Sequence, residues 1–165
     1  MPAVKVNVIN NTGPFVQAFI SGNQKFVKDV GDEIVKDVDK IFDEQGPGWP
    51  ALSEATMVVK GVGGRILEQT GDLRKSYKAQ LITKTEGRVI STDPKSMIHE
   101  FGAEIVVTEK MRSYLHIHGI HLSPETDRIF IPERPVLRSA VDRIYPKLPK
   151  LLREKVWDTV RRVLV

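Results

Sequence analysis

The sequence predicts an α+β fold: a long N-terminal helix and C-terminal helices packed on a small, mainly antiparallel sheet that includes an extended hairpin. Three observations carry that prediction. Apolar residues recur every three or four positions over residues 15–44 and again from residue 136 to the end. Between these stretches lie β-branched runs separated by turn residues. With 165 residues, 41% of them hydrophobic, the chain can bury one ordinary core without staples.

Val4, Val6 and Val8 alternate with Lys5 and Asn7, the period-two pattern of a short half-buried strand. Residues 10–14 break it, and Pro14 suits a helix start because its missing N–H would find no partner there anyway. From there to about Glu44, Phe19, Phe26, Val27, Val30, Ile34, Val38, Ile41 and Phe42 form one stripe among charged residues. This spacing predicts a single amphipathic helix, with any break expected near Gly22. The run Gly46-Pro-Gly-Trp-Pro50 ends it.

Ser53, Thr56 and Met57 open a second helix toward Gly61, and Gly61, Gly63 and Gly64 form a loose loop. Residues 70–73, Thr-Gly-Asp-Leu, signal a turn and a helix start in which Thr70 or Asp72 takes up free backbone N–H groups. Residues 77–85 and 88–92 read as a hairpin joined at Glu86-Gly87. Asp93-Pro94 begins a short helix carrying Met97, Ile98 and Phe101 on one face, and Gly102 ends it. Residues 104–108 and 113–120 read as a second, extended hairpin, with His116 and His118 opposite Leu115 and Ile117. A polar loop over 122–127 and a last strand over 128–131 follow, and Pro132 stops the strand. Leu137, Ala140, Val141 and Ile144 then define a helix that Pro146 and Pro149 interrupt. Leu152, Val156, Val160 and Val163 continue an apolar stripe to the end, on a helix that docks either on its own domain or on a neighbouring subunit.

Charge and motifs narrow the function. The net charge of +4 is uneven: residues 134–165 hold nine Lys or Arg against three acids, so this region faces either solvent, nucleic acid or an acidic protein. The absence of cysteine removes disulfides, thiolate metal sites and a cysteine nucleophile. No run of apolar residues is long enough to span a bilayer, so a soluble chain made in the cytoplasm, with no membrane partner, is expected. His116, His118 and His121 have spacing compatible with a metal, but no carboxylate lies among them; an exposed strand face is the simpler reading. Residues 61–65 lack the Lys-Ser/Thr of a phosphate loop, and no nucleophile elbow is present. The acids of the first helix alternate with lysines at three- and four-residue spacing, which stabilises an exposed helix face. No catalytic residue, cofactor or metal is therefore assigned, and an enzyme is not expected.

Four phrases in fixed order remain: Trp49-Pro-Ala-Leu52 with Thr56 and Lys60; Leu67-Glu-Gln-Thr-Gly71-Asp-Leu73; His99-Glu-Phe-Gly102; and Pro132-Glu-Arg-Pro135. In order and spacing they resemble the phage virion morphogenesis family, the tail-completion and head-tail joining proteins related to the Mu G protein and the P2 S protein. The resemblance spans roughly residues 15–145. It departs from the family at Glu133, where alanine is usual, and in the tail from Pro146, to which no family role is carried over. The expected organisation is a tail-completion-like domain over 1–145 and a basic helical extension over 146–165.

The resemblance implies a structural protein of the neck or head-proximal tail end, assembled in the host cytoplasm and carried in the virion. It implies a homo-oligomeric ring, with six subunits the expected number, that meets tail tube and connector proteins and encloses DNA. The competing reading is a non-enzymatic nucleic-acid-binding module that uses the basic C-terminal region. Candidate interface residues are Trp49, Arg134, Arg138, Trp157, Arg161, Arg162, His116 and His118. For Trp49 the alternative is loop anchoring against the core, and for Arg134 a local role in the turn.

Overall fold

A computed structural model describes residues 12–60 and 64–164, so the strand expected over 4–8 lies outside the described residues. Helix α1 (Thr12–Asp43) is the axis of the fold. It is the single long helix that the apolar spacing predicts, and it runs through Gly22 without a break. Gly22 is buried, and a Cβ on it would lie 2.9 Å from the Cα of Val156, so the glycine lets the C-terminal segment approach the helix closely.

Helix α2 (Glu54–Lys60) and the single turn α3 (Asp72–Lys75) follow, then strands β1 (Tyr77–Leu81) and β2 (Gly87–Ser91). These strands pair antiparallel with Tyr77 opposite Ser91 and Leu81 opposite Gly87. The hairpin is joined by residues 82–86, not by Glu86-Gly87. Ile82 and Thr83 both donate their N–H to the Glu86 carbonyl, at 2.9 and 3.1 Å, which folds the β-branched run 82–85 into the loop.

Helix α4 (Lys95–Phe101) ends at Gly102 as the sequence predicts, and strand β3 (Ala103–Val106) pairs antiparallel with β4 (Arg128–Ile131). The extended hairpin expected over 104–120 is not formed, because residues 109–117 are helix α5 (Glu109–Ile117). Thr108 is the cause: its hydroxyl accepts the Met111 N–H at 3.2 Å, an N-cap that starts a helix where side-chain alternation suggested a strand. The partner of β3 is therefore β4, which follows the helix and the polar loop.

Helix α6 (Leu137–Ile144) leads through a 3-10 turn (Tyr145–Lys147) into α7 (Leu148–Leu152), a π turn (Arg153–Trp157) and α8 (Asp158–Leu164). Pro146 and Pro149 each sit in the first turn of a new segment, where their missing N–H is tolerated, so they bend the path without ending it. This C-terminal path runs antiparallel along α1. Arg143 meets Glu44 at 2.5 Å, Lys147 meets Asp37 at 3.4 Å, Lys155 meets Asp29 at 2.8 Å, and Val156 lies against Gly22. Val156 and Val160 are buried, so the last helix docks on its own chain.

The core gathers Val38, Ile41 and Phe42 of α1 with Leu73, Tyr77, Val136 and Ala140. Fully burying a side chain the size of Phe42 or Ile41 contributes about 1.5–3 kcal/mol. Arg74 ties α3 to α1 through Asp43 at 2.6 Å and Asp39 at 2.8 Å, and these partners raise its pKa further. From residue 78 to residue 133, in contrast, no side chain is buried.

Candidate functional site

The four sequence phrases meet at one junction between the end of α1, α2, α4, β4 and the start of α6. Gly46 has φ 81°, and its backbone donates to the Ile41 carbonyl at 2.8 Å, closing α1. The Trp49 indole lies directly over it: a Cβ on Gly46 would come within 1.9 Å of the ring. The same indole meets Phe42 edge-on, with centroids 6.2 Å apart, and directs Nε1 toward the Pro135 carbonyl at 3.4 Å. Trp49 thus anchors the Gly-Pro loop against the core.

Arg134 is the cross-piece. Only 6% exposed, it donates through Nε and Nη2 to the Pro50 carbonyl at 3.3 and 3.0 Å, and through Nη2 to the Ala51 carbonyl at 3.2 Å. Its backbone N–H reaches the His99 carbonyl at 2.6 Å. Burial holds its pKa below the ordinary guanidinium value. The Arg134 side chain is therefore inside the protomer, holding the Trp49 loop to the strand that precedes α6.

Glu100 completes the joint. Its carboxylate accepts the N–H groups of Val136, Leu137 and Arg138 at 2.8, 3.0 and 2.8 Å, satisfying the free donors at the start of α6 with a charge of the right sign for a helix N-terminus. Arg138 in turn donates to the Glu100 carbonyl at 3.1 Å and lies over the Phe101 ring at 5.6 Å.

A cleft of about 570 Å³ opens beside this joint, walled by Leu52, Leu67, Leu73, Ile129 and Ile131 and containing Lys60, His99 and Arg134. Burial, then the charge of Arg134, lowers the pKa of Lys60 and of His99. A second, apolar groove of about 790 Å³ lies between β2, α4 and α6, where Val89, Met97, Phe101 and Val141 face it.

The other candidates are dispersed. Trp157 is 55% exposed in the π turn, and Arg161 and Arg162 are exposed on α8. His116 and His118 do not share a face. The His116 ring meets His121, with Nδ1 atoms 2.9 Å apart, while His118 packs on Tyr114 at 4.4 Å. Among the described residues no group of three or more potential ligands is placed to hold a metal. Within residues 134–165, Arg138, Arg143, Lys147, Lys150 and Lys155 pair with acids of the same chain, so part of its positive charge is neutralised internally. Among the described residues no helix is long and apolar enough to cross a membrane. The capping role of Glu100 and the exposure of Met97, Phe101 and Phe130 are not among the candidates that the sequence offers. Glu100 lies inside the His99-Glu-Phe-Gly102 phrase, between Ile98 and Phe101 of the apolar face, and its place in that phrase is the signal that marks it.

A mixed α+β domain that invests its signature residues in holding three chain segments together, and leaves large apolar side chains outside, is a protein of assembly. The model of the phage virion morphogenesis family matches residues 9–161, and the chain belongs to that family. It is a virion-associated phage protein with a structural or assembly role, in a family not known for catalysis. No curated protein and no solved structure matches it.

Proposed function

We propose that this chain is the subunit of a ring that completes the phage tail at its head-proximal end and joins it to the DNA-filled head. The observation that carries the reading is the unburied stretch 78–133, which contains Met97, Phe101, Val106, Ile117 and Phe130 as exposed apolar side chains. Phe101 is 68%, Phe130 74% and Ile117 80% exposed. Large apolar side chains left this exposed on a single chain point to surfaces covered by partners.

Two faces are available on one protomer, the groove between β2, α4 and α6 and the arm formed by β3, α5 and β4. Contacts between unlike faces repeat head to tail and close a ring when the rotation permits. The expected ring has six subunits, with tail tube and connector proteins above and below it. Arg153, Arg161 and Arg162, which have no carboxylate partner among the described residues, are left to meet DNA phosphates in the lumen without sequence preference. Imaging of purified particles carrying a tagged chain tests the reading. A closed ring of density between tail tube and head is expected. Absence of the chain from particles, with normal tails after deletion of its gene, would overturn it.

A further inference from the structure

We propose that the cleft containing Lys60, His99 and Arg134 is a socket for a carboxylate presented by a protein partner. It rests on the assembly role only for the source of that carboxylate; the socket itself is a property of the isolated chain.

The first ground is an uncompensated buried charge. Arg134 is 6% exposed and bonds only to the carbonyls of Pro50 and Ala51; among the described residues no carboxylate pairs with it. Buried charges are ordinarily paired, because desolvation is costly without a counter-charge. Lys60 adds a second cation at the same cleft. Its Nζ donates to the carbonyls of Arg65 and Glu68 at 3.0 and 3.3 Å, which leaves one ammonium proton uncommitted.

The second ground is an orphaned polar atom. The Nδ1 of His99 is buried and has no hydrogen-bond partner among the described residues. The nearby acids have local partners, although the Oε2 of Glu68 accepts no hydrogen bond among the described residues. Glu68 pairs with Arg65 at 2.7 Å, Asp72 accepts the Thr70 hydroxyl at 2.5 Å, and Asp93 accepts the Lys95 N–H at 2.9 Å.

The shape selects the kind of anion. Leucine and isoleucine walls around Lys60, His99 and Arg134, with Lys95 partly balancing Asp72 and Asp93 at the edge, match an Asp or Glu side chain, whose methylene stem is apolar and whose end is a carboxylate. Burial first, and then the charge of Arg134, lowers the pKa of both Lys60 and His99, and an entering anion offsets that charge.

The test begins with the isolated chain. The ring signals of His99 are followed by NMR during titration with N-acetylglutamate methylamide, with its uncharged glutamine analogue, and with inorganic phosphate. A saturable shift with the glutamate probe is expected, and Lys60→Gln should weaken it about tenfold, the worth of one charge-assisted hydrogen bond. No saturable shift, an equal response to the glutamine analogue, or a stronger response to phosphate would overturn the proposal.

The second arm identifies the source. Carbodiimide treatment of assembled particles forms an amide between the Lys60 amine and an adjacent carboxyl with loss of water, the carbodiimide taking up that water to become a urea. Mass spectrometry of the linked peptides should show Lys60 joined to an Asp or Glu of another chain, either a second copy or a different virion protein. Lys60 joined only to Glu68 of its own chain, in particles that contain the protein, would sink the socket while leaving the ring intact. Particles that lack the protein would sink the ring reading, with the NMR result standing by itself.

Discussion

Glu100 shows how much one side chain carries in a small domain. Three backbone N–H groups at the start of α6 converge on its carboxylate, and no other side chain is bonded to them. Glu100→Gln removes the charge and turns an N–H donor toward other donors, so a loss of about 2 kcal/mol is expected from the mixed cost of a lost cap and an unmade bond. Urea denaturation of the two proteins measures it, and a loss below about 0.5 kcal/mol, ordinary for a surface change, would contradict the capping role.

Asp37 gives a second residue-scale prediction through pH. Its side chain is buried, which by itself raises the pKa, but the hydrogen bond from Lys40 at 2.9 Å and the charge of Lys147 outweigh burial and bring it below the ordinary value. In acid the unfolded chain therefore binds this proton before the folded one does. The contribution of Asp37 is complete above the unfolded pKa of about 3.9 and fades as the pH falls through the lower folded value. Asp37→Asn should flatten the acid limb of the stability curve in that window. An acid limb identical to that of the wild type would show that other carboxylates govern acid unfolding.

Among the elements, the close packing of α1 on the C-terminal path is the sharpest constraint. In Gly22→Ala the new methyl would meet the Val156 backbone at 2.9 Å and the Lys155 carbonyl at 3.1 Å, atoms that cannot rotate away. The helix-propensity gain of about 1 kcal/mol is then outweighed by overpacking of about 1–3 kcal/mol, for a net loss. Gly13→Ala, with nothing within 4 Å, should stay within about 0.5 kcal/mol of the wild type. Thermal melts of both variants decide the matter: a stabilised Gly22→Ala protein would mean that the C-terminal path yields easily.

The same scale shows what the sequence made legible. Helix α1, the short helix before Gly102 and the final strand were readable because periodicity, caps and breakers agreed there. Residues 109–117 were misread because Leu115 and Ile117 alternate with polar residues over too few positions to separate a strand from a helix, and the Thr108 cap outweighed that pattern. The packing role of Gly22 is not legible in sequence, because a glycine that breaks a helix and a glycine that admits a neighbour look alike until the neighbour is known. At the site, the phrases that carry the family resemblance were visible in sequence. Their convergence was not, since the bonds of Arg134 to Pro50 and Ala51 join residues more than eighty positions apart.

For the whole molecule, the division between a buried half and an unburied half separates folding from assembly. The core uses α1, α3, β1 and α6, while residues 78–133 contribute no buried side chain to it. Phe101 and Phe130 are largely exposed in the single chain, so replacing both by glutamate removes little native contact. Arg138, which now lies over the Phe101 ring, would remain beside the new carboxylate at position 101. The folded monomer should therefore keep its stability within about 1 kcal/mol. If neighbouring subunits cover these positions, assembly must bury two added carboxylates, of which the one at position 130 has no such cation beside it, a strongly unfavourable step. The double variant should then be soluble and folded by circular dichroism yet fail to enter particles when it replaces the wild-type chain. A double variant that assembles normally would place the subunit contacts elsewhere and leave the exposed phenylalanines without a role in the ring.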